Sequence, residues 1–104
     1  MAQFDVHRNS GRDIRHIPFL LDVQSDLISS AGSRIVVPLV RTHAFGEPRA
    51  PRLYPVFMVD NISVVMVTTD LASILRSELG TKVTSLAEHR DTIRDALDFL
   101  FQGF

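Results

Sequence analysis

Four histidines, His7, His16, His43 and His89, are the first candidates for metal binding or proton transfer in this chain. No two of them have the i, i+4 spacing that sets two ligands on one helix face, and no cysteine assists them. They read as ordinary surface or partly packed histidines. Asp22 and Asp26 flank Gln24 and Ser25. They form an acid–base pair only if the chain turns between them. A turn with Asx hydrogen bonds explains them equally well and is the favoured reading. Arg41 to Arg52 holds three arginines with Gly46, Pro48 and Pro51, a surface loop or irregular arm. Such arginines can meet phosphate or carboxylate groups, although a solvated guanidinium is the commoner case. No nucleophile elbow, P-loop or dinucleotide-binding glycine pattern occurs. Nothing here has the marks of a conventional small-molecule enzyme, and neither cofactor nor metal is expected.

The most informative surface feature is an acidic stripe. Asp91, Asp95, Asp98 and Gln102 recur at i, i+4, i+7 and i+11, with Arg90 and Arg94 to one side. A solvated helix face accounts for this pattern. A face that recognises a basic protein surface accounts for it too, because three aligned carboxylates raise the local negative potential. The helix behind the stripe has the clearest periodicity in the chain. At roughly 100° per residue, Ile93, Ala96, Leu97, Leu100, Phe101 and Phe104 fall on the opposite, apolar face. Ser85 with Glu88 three residues on has capping-box spacing. The sequence stops on Phe101-Gln102-Gly103-Phe104, so this end is either tucked onto a core or offered as a contact surface.

The elements that must position this helix are mostly strands. Phe4 to His7 alternates apolar and polar, and Asn9 to Asp13 is a turn cluster. A second strand runs from about Ile17 to Val23, with Pro18 marking its start or an edge. Gln24 to Asp26 breaks it, Leu27-Ile28 continues it briefly, and Ser29 to Ser33 is a small-residue loop. Ile35 to Val37 is a third strand with both faces apolar, which Pro38 interrupts by a bulge or strand end. Leu53 to Val59 and Ile62 to Thr68 form a hairpin across Asp60-Asn61, and Thr68 to Asp70 ends it. Leu71 to Leu79 alone has helical spacing, with Gly80 as a possible helix-stop residue. Lys82-Val83 is a short strand. Strands first and a helix last indicate an α+β fold with a small antiparallel sheet or partly open barrel.

Composition agrees with that size and class. A chain of 104 residues is one domain, residues 1–104, and 45% hydrophobic with 22% charged residues is ordinary for a globular protein. A net charge of −1 gives no electrostatic reason to bind nucleic acid directly. No stretch approaches the ~18 apolar residues of a membrane span, and the first residues lack an apolar leader. The expectation is a soluble, cytoplasmic protein with no membrane partner.

Five segments in order resemble a known family. They are Leu21-Asp22-Val23-Gln24-Ser25-Asp26-Leu27-Ile28, Arg34-Ile35-Val36-Val37-Pro38-Leu39, Leu53-Tyr54-Pro55-Val56, Thr68-Thr69-Asp70-Leu71-Ala72-Ser73, and the last helix with Ile93, Ala96 and Phe101-x-Gly103-x. The chain is similar to the CcdB toxins of type II toxin–antitoxin modules. The resemblance implies an SH3-like antiparallel barrel with a C-terminal helix, in a homodimer, and places Leu71 to Leu79 in loop and short strand. It implies a non-enzymatic inhibitor that traps the DNA gyrase cleavage complex through the A subunit of DNA gyrase and serves plasmid maintenance. A CcdA-like antitoxin would neutralise it and repress transcription of the operon together with it, so DNA is met only through the antitoxin. Carried over by position, the gyrase-binding residues are Ser25, Ile28, Asp91, Arg94, Asp95, Asp98, Gln102, Gly103 and Phe104. The family's final Trp-Gly-Ile is Gln102-Gly103-Phe104 here, so the large aromatic anchor is replaced by an amide. The alternatives are a homologue that binds antitoxin as a decoy or operon co-regulator without poisoning gyrase, and an endoribonuclease on the same barrel.

Overall fold

The computed structural model describes residues 2–11, 13–28, 32–46 and 50–104. Its strands are β1 (Asp5–Asn9), β2 (Phe19–Asp22), β3 (Ser33–Arg41), β4 (Val56–Val59), β5 (Ile62–Met66), β6 (Ala72–Leu75) and β7 (Leu79–Ser85). A single-turn helix, α1 (Thr42–Phe45), follows β3, and α2 (Arg90–Gln102) closes the fold. Every strand pair is antiparallel. The order across the sheet is β4-β5-β3-β2-β1-β7, and β6 pairs separately with β3. The sheet curls into an SH3-like half-barrel with the C-terminal helix packed on it, the expected α+β class. The edges β4 and β7 approach each other, since the β4–β5 turn and the end of β7 line one groove of about 290 Å3.

Alternation of side chains sends Phe19 and Leu21 of β2, Val37 and Leu39 of β3, and Val64 and Met66 of β5 into one core. Ile93 and Ala96 of α2 complete it, both with no exposed surface. The hairpin turn Asp60-Asn61 has both residues at positive φ, 52° and 63°, the geometry of a type I′ turn. Asn9 closes the predicted turn after β1 by accepting from the Gly11 N–H at 2.9 Å, while Asp13 takes the positive φ.

Three sequence expectations are corrected. Pro38 neither ends nor bulges β3, which runs unbroken through it. Its carbonyl accepts from the Val67 N–H at 3.1 Å, so its ring nitrogen, which carries no hydrogen, faces the same edge. At that edge β3 changes partner from β6, paired with 33–36, to β5, paired with 39–41, and no donor is needed there. Leu27-Ile28 does not continue β2 but lies in a 3-10 turn, Asp26–Ile28. Leu71 to Leu79 is not a helix: β6 and a 3-10 turn at Arg76–Glu78 fill it, as the family resemblance implied. Gly80 accordingly caps no helix. It lies within β7 where β1 passes so close that a Cβ would sit 2.6 Å from the Arg8 carbonyl oxygen. The predicted loop Ser29 to Ser33 lies mostly outside the described residues.

One polar network is sealed inside the sheet. Arg34 and Asp22 are both completely buried, with Arg34 Nε donating to Asp22 Oδ2 at 2.8 Å and Nη2 to Oδ1 at 3.0 Å. Asp22 Oδ1 also accepts from the Gln24 N–H at 3.0 Å, the Asx turn favoured from the sequence. Gln24 then accepts from the Ile35 N–H through Oε1 and donates to the Ile28 carbonyl through Nε2. The segment after β2 is thus shaped by buried charge. Asp22→Ala leaves the guanidinium uncompensated and is expected to lower unfolding free energy by about 3–5 kcal/mol in urea titrations. Gly80→Ala is expected to lose about 1–3 kcal/mol in the same measurement, because β1 and β7 must separate to admit the methyl group.

Candidate functional site

The last helix enters on a 3-10 turn, Ala87–His89, and Ser85 Oγ accepts from the Ala87 N–H at 3.1 Å. Ser85 therefore caps this turn, not α2 itself, whose N-cap His89 makes no side-chain cap bond. The Glu88 carboxylate faces His89 at 3.6 Å, so the predicted capping box is not formed. At the other end Gly103 is left-handed, φ 78°, and its N–H donates to the Phe99 carbonyl at 2.8 Å, a glycine helix stop.

The apolar face of α2 is buried only in its first half. Ile93 and Ala96 are enclosed, and Leu97 and Leu100 are half-buried. Phe101 and Phe104 are 71% and 75% exposed, so of the two readings of this end the one that leaves it uncovered holds. Burial falls off along the helix before its last turn, and the Gly103 stop takes Phe104 off the helix.

Beside that uncovered turn lies an apolar groove of about 360 Å3, lined by Val23, Gln24, Ser25, Ile28, Ile35, Leu71, Leu97 and Phe101. It brings together two residues carried over from the family, Ser25 and Ile28, and a third, Phe101, that lies on the apolar face of α2 and is not among those carried over. Ser25 Oγ accepts from the Leu27 N–H at 3.2 Å and so shapes the 3-10 turn. That turn presents Leu27, 97% exposed, and Ile28, 56% exposed. Clustered exposed apolar side chains of this kind mark protein contact surfaces. The available signal for Phe101 was its place in the last helical turn, immediately before the glycine stop.

The acidic stripe is exposed as expected, with Asp91, Asp95, Asp98 and Gln102 all on the solvent side. It is not a free row of carboxylates. Arg52 grips Asp95 in a bidentate pair, Nε to Oδ2 at 2.8 Å and Nη2 to Oδ1 at 2.9 Å. The same guanidinium lies 4.8 Å from the centre of the Phe99 ring. The hydrogen bond to Asp95 raises the Arg52 pKa, partial desolvation opposes it, and the charges of Asp95 and Asp98 add to the rise. Arg52 therefore stays cationic and cancels the middle of the stripe, leaving Asp91 and Asp98. Arg94 lies along the neighbouring side, 5.6 Å from the Phe4 ring centre.

The remaining candidates are dispersed. Asp26 accepts from the Gln3 N–H at 2.8 Å and is not paired with the buried Asp22. His7 is buried with Nδ1 3.0 Å from the Gly80 carbonyl, which makes that nitrogen the donor. His16 contacts Asp13 at 2.8 Å, His89 packs against Phe57, and His43 is exposed on α1. Among the described residues no three His, Cys, Asp or Glu side chains form a metal-binding group. Of the three loop arginines, Arg52 meets a carboxylate, Arg41 donates to the Arg15 carbonyl at 2.8 Å, and Arg49 lies outside the described residues. No helix among those residues is long and apolar enough to cross a membrane.

A curled antiparallel half-barrel with a C-terminal helix, α+β in class, is the fold of this chain. The match to the CcdB protein family model over residues 3–103 shows that the chain belongs to the CcdB family, toxins of toxin–antitoxin modules. The fold is also similar to that of an endoribonuclease from Mycobacterial species. That likeness has a TM-score of 0.71 at 17% identity, over 97% of this chain and 90% of the other.

The uneven packing of α2 separates stability from contact. Ile93→Ala is expected to cost about 2–5 kcal/mol in chemical denaturation. Phe101→Ala is expected to stay within about 0.5 kcal/mol of the parent, as surface substitutions do.

Proposed function

We propose that this protein is a cytoplasmic gyrase poison, acting without catalysis by binding the A subunit of DNA gyrase and holding the enzyme on cleaved DNA. The observation that supports this most directly is the uncovered helix end, where Phe101 lines one groove with Ser25 and Ile28 and the exposed Gly103 and Phe104 follow it. A poison of this kind acts by stoichiometric contact, and such contacts concentrate their energy in a few desolvated anchors. Here the anchor role passes from the family's Trp position, occupied by Gln102, to the two exposed phenylalanines. Asp91, Asp98 and Gln102 supply a polar rim for arginines of the target, with Asp95 contributing once Arg52 yields and Arg94 marking the opposite border. In this reading two copies form a homodimer that presents both helix ends together. A CcdA-like antitoxin covers the same apolar surface and brings the toxin to operator DNA.

The test is a supercoiled-plasmid cleavage assay with purified gyrase. The parent protein is expected to accumulate linear, gyrase-linked DNA. Removing Gln102 to Phe104 should abolish that signal while circular dichroism remains unchanged. Phe101→Ala should weaken it by about thirtyfold or more, corresponding to the loss of one anchor worth about 2 kcal/mol. A folded truncation with undiminished cleavage would refute the site. Antitoxin binding without cleavage would select the decoy and co-regulator reading, and RNA cleavage by the pure protein without gyrase would select the endoribonuclease reading.

A further inference from the structure

The solvent side of α2 already holds one guanidinium. Asp95 and Phe99 are one helical turn apart, so carboxylate and ring are neighbours on the same face. Arg52 sits against both. Its Nε and Nη2 donate to the two Asp95 oxygens at 2.8 and 2.9 Å, and its Cζ lies 4.8 Å from the Phe99 ring centre. A carboxylate beside an aromatic face suits a guanidinium, which offers two parallel N–H donors and a flat surface for the ring. A lysine ammonium matches it less well, because its charge is compact and it has no planar fork. The neighbouring Asp98 adds to the attraction.

Two observations make this occupant exchangeable. The pair is open to solvent, with the Arg52 and Asp95 side chains 44% and 50% exposed, and exposed ion pairs add little net stability. The turn that carries Arg52 is also held by other bonds. The Leu53 and Tyr54 N–H groups both donate to the Ala50 carbonyl at 2.9 Å. Thr68 Oγ1 donates to the Leu53 carbonyl at 2.6 Å, and the Tyr54 ring packs on Phe45 with centroids 5.2 Å apart. The Arg52 side chain can therefore leave α2 without unmaking the turn behind it.

We propose that Arg52 is an internal competitor at the partner-binding surface: it fills the guanidinium seat formed by Asp95 and Phe99, and an arginine of the partner takes that seat by displacing it. The inference rests on the reading of α2 as the surface that meets the target. The exchange replaces one guanidinium–carboxylate pair with another, so it adds little affinity by itself. It adds selectivity, because a partner with lysine or an apolar group at that point cannot replace the fork it would have to remove. Deleting Arg52 leaves the seat open, and a partner arginine then pairs with Asp95 at no such cost. Loss of a residue within the contact surface thus strengthens binding.

The first measurement needs no partner. The full chain is labelled with nitrogen-15 arginine, and the Arg52 Nε–H signal is followed by NMR as N-acetyl-arginine amide or N-acetyl-lysine amide is added at equal ionic strength. The signal is expected to move toward its position in Asp95→Asn, at severalfold lower concentration of the arginine amide. Equal displacement by both compounds, or none by either, would overturn the exchange. The second measurement is the affinity of each variant for the A subunit of DNA gyrase by fluorescence anisotropy. Arg52→Ala is expected to bind up to about fivefold tighter than the parent, the range open to an exposed ion pair. Adding Asp95→Asn to Arg52→Ala should remove that gain. Arg52→Lys keeps the charge but not the fork and should show part of it, which keeps the test open if Arg52→Ala melts early. Equal or weaker binding by both Arg52 variants at an unchanged melting temperature would overturn the proposal and make Arg52 a direct contact. If no variant binds gyrase, the gyrase reading fails, and the arginine amide titration alone decides on the seat.

Discussion

The ion pair between Arg34 and Asp22 fixes the arrangement of the candidate contact surface. Both side chains have no exposed surface, so each charge has exchanged water for its partner. Such a pair adds little net stability compared with apolar residues of the same shape, but breaking it is costly. It acts on geometry. Asp22 holds the Gln24 N–H, Arg34 reaches the Gln24 carbonyl at 3.4 Å, and the Gln24 side chain ties Ile28 to Ile35. The chain leaving β2 therefore has a fixed path into the 3-10 turn that exposes Leu27 and Ile28. The wall of the apolar groove is set by electrostatics within the sheet.

The opposite wall is set by how far along α2 the burial extends. Two buried residues, Ile93 and Ala96, anchor the helix, and the half-buried Leu97 and Leu100 continue the contact. The last turn then runs past the sheet with its aromatic residues uncovered. A helix packed along its full length would bury more apolar area and leave less to offer another protein. Arg52 acts on the solvent side, stacking on Phe99 and binding Asp95. It fastens the loop before β4 to the helix and divides the acidic stripe. The two sides of α2 thus differ, one apolar and open, the other polar and partly neutralised.

Much of the architecture can be read from local pattern. The β4–β5 hairpin, the strand character of β1 to β3 and the final helix follow from two-residue and 3.6-residue periodicities and from turn residues. Family segments supplied the barrel and moved Leu71 to Leu79 out of a helix. The misreadings share a cause. Pro38 looked like a strand end because its neighbours across the sheet, β5 and β6, were unknown. Ser85 and Glu88 looked like a helix cap because nothing local distinguishes a 3-10 turn from the start of an α-helix. For Phe101 the sequence left core and contact surface open, because periodicity assigns a face but not the extent of the surface that covers it.

Fold class, order of elements and the amphipathic helix were legible along the chain. These depend on residues close together in the chain or on ordered motifs. Which charges meet emerged only on folding. Asp22 finds Arg34 twelve residues away, and Arg52 finds Asp95 forty-three residues away. Folding likewise brought Phe101 to Ser25 and Ile28. Burial and ion pairing depend on distances in space, and a curled sheet sets those distances through strand register that no single segment encodes.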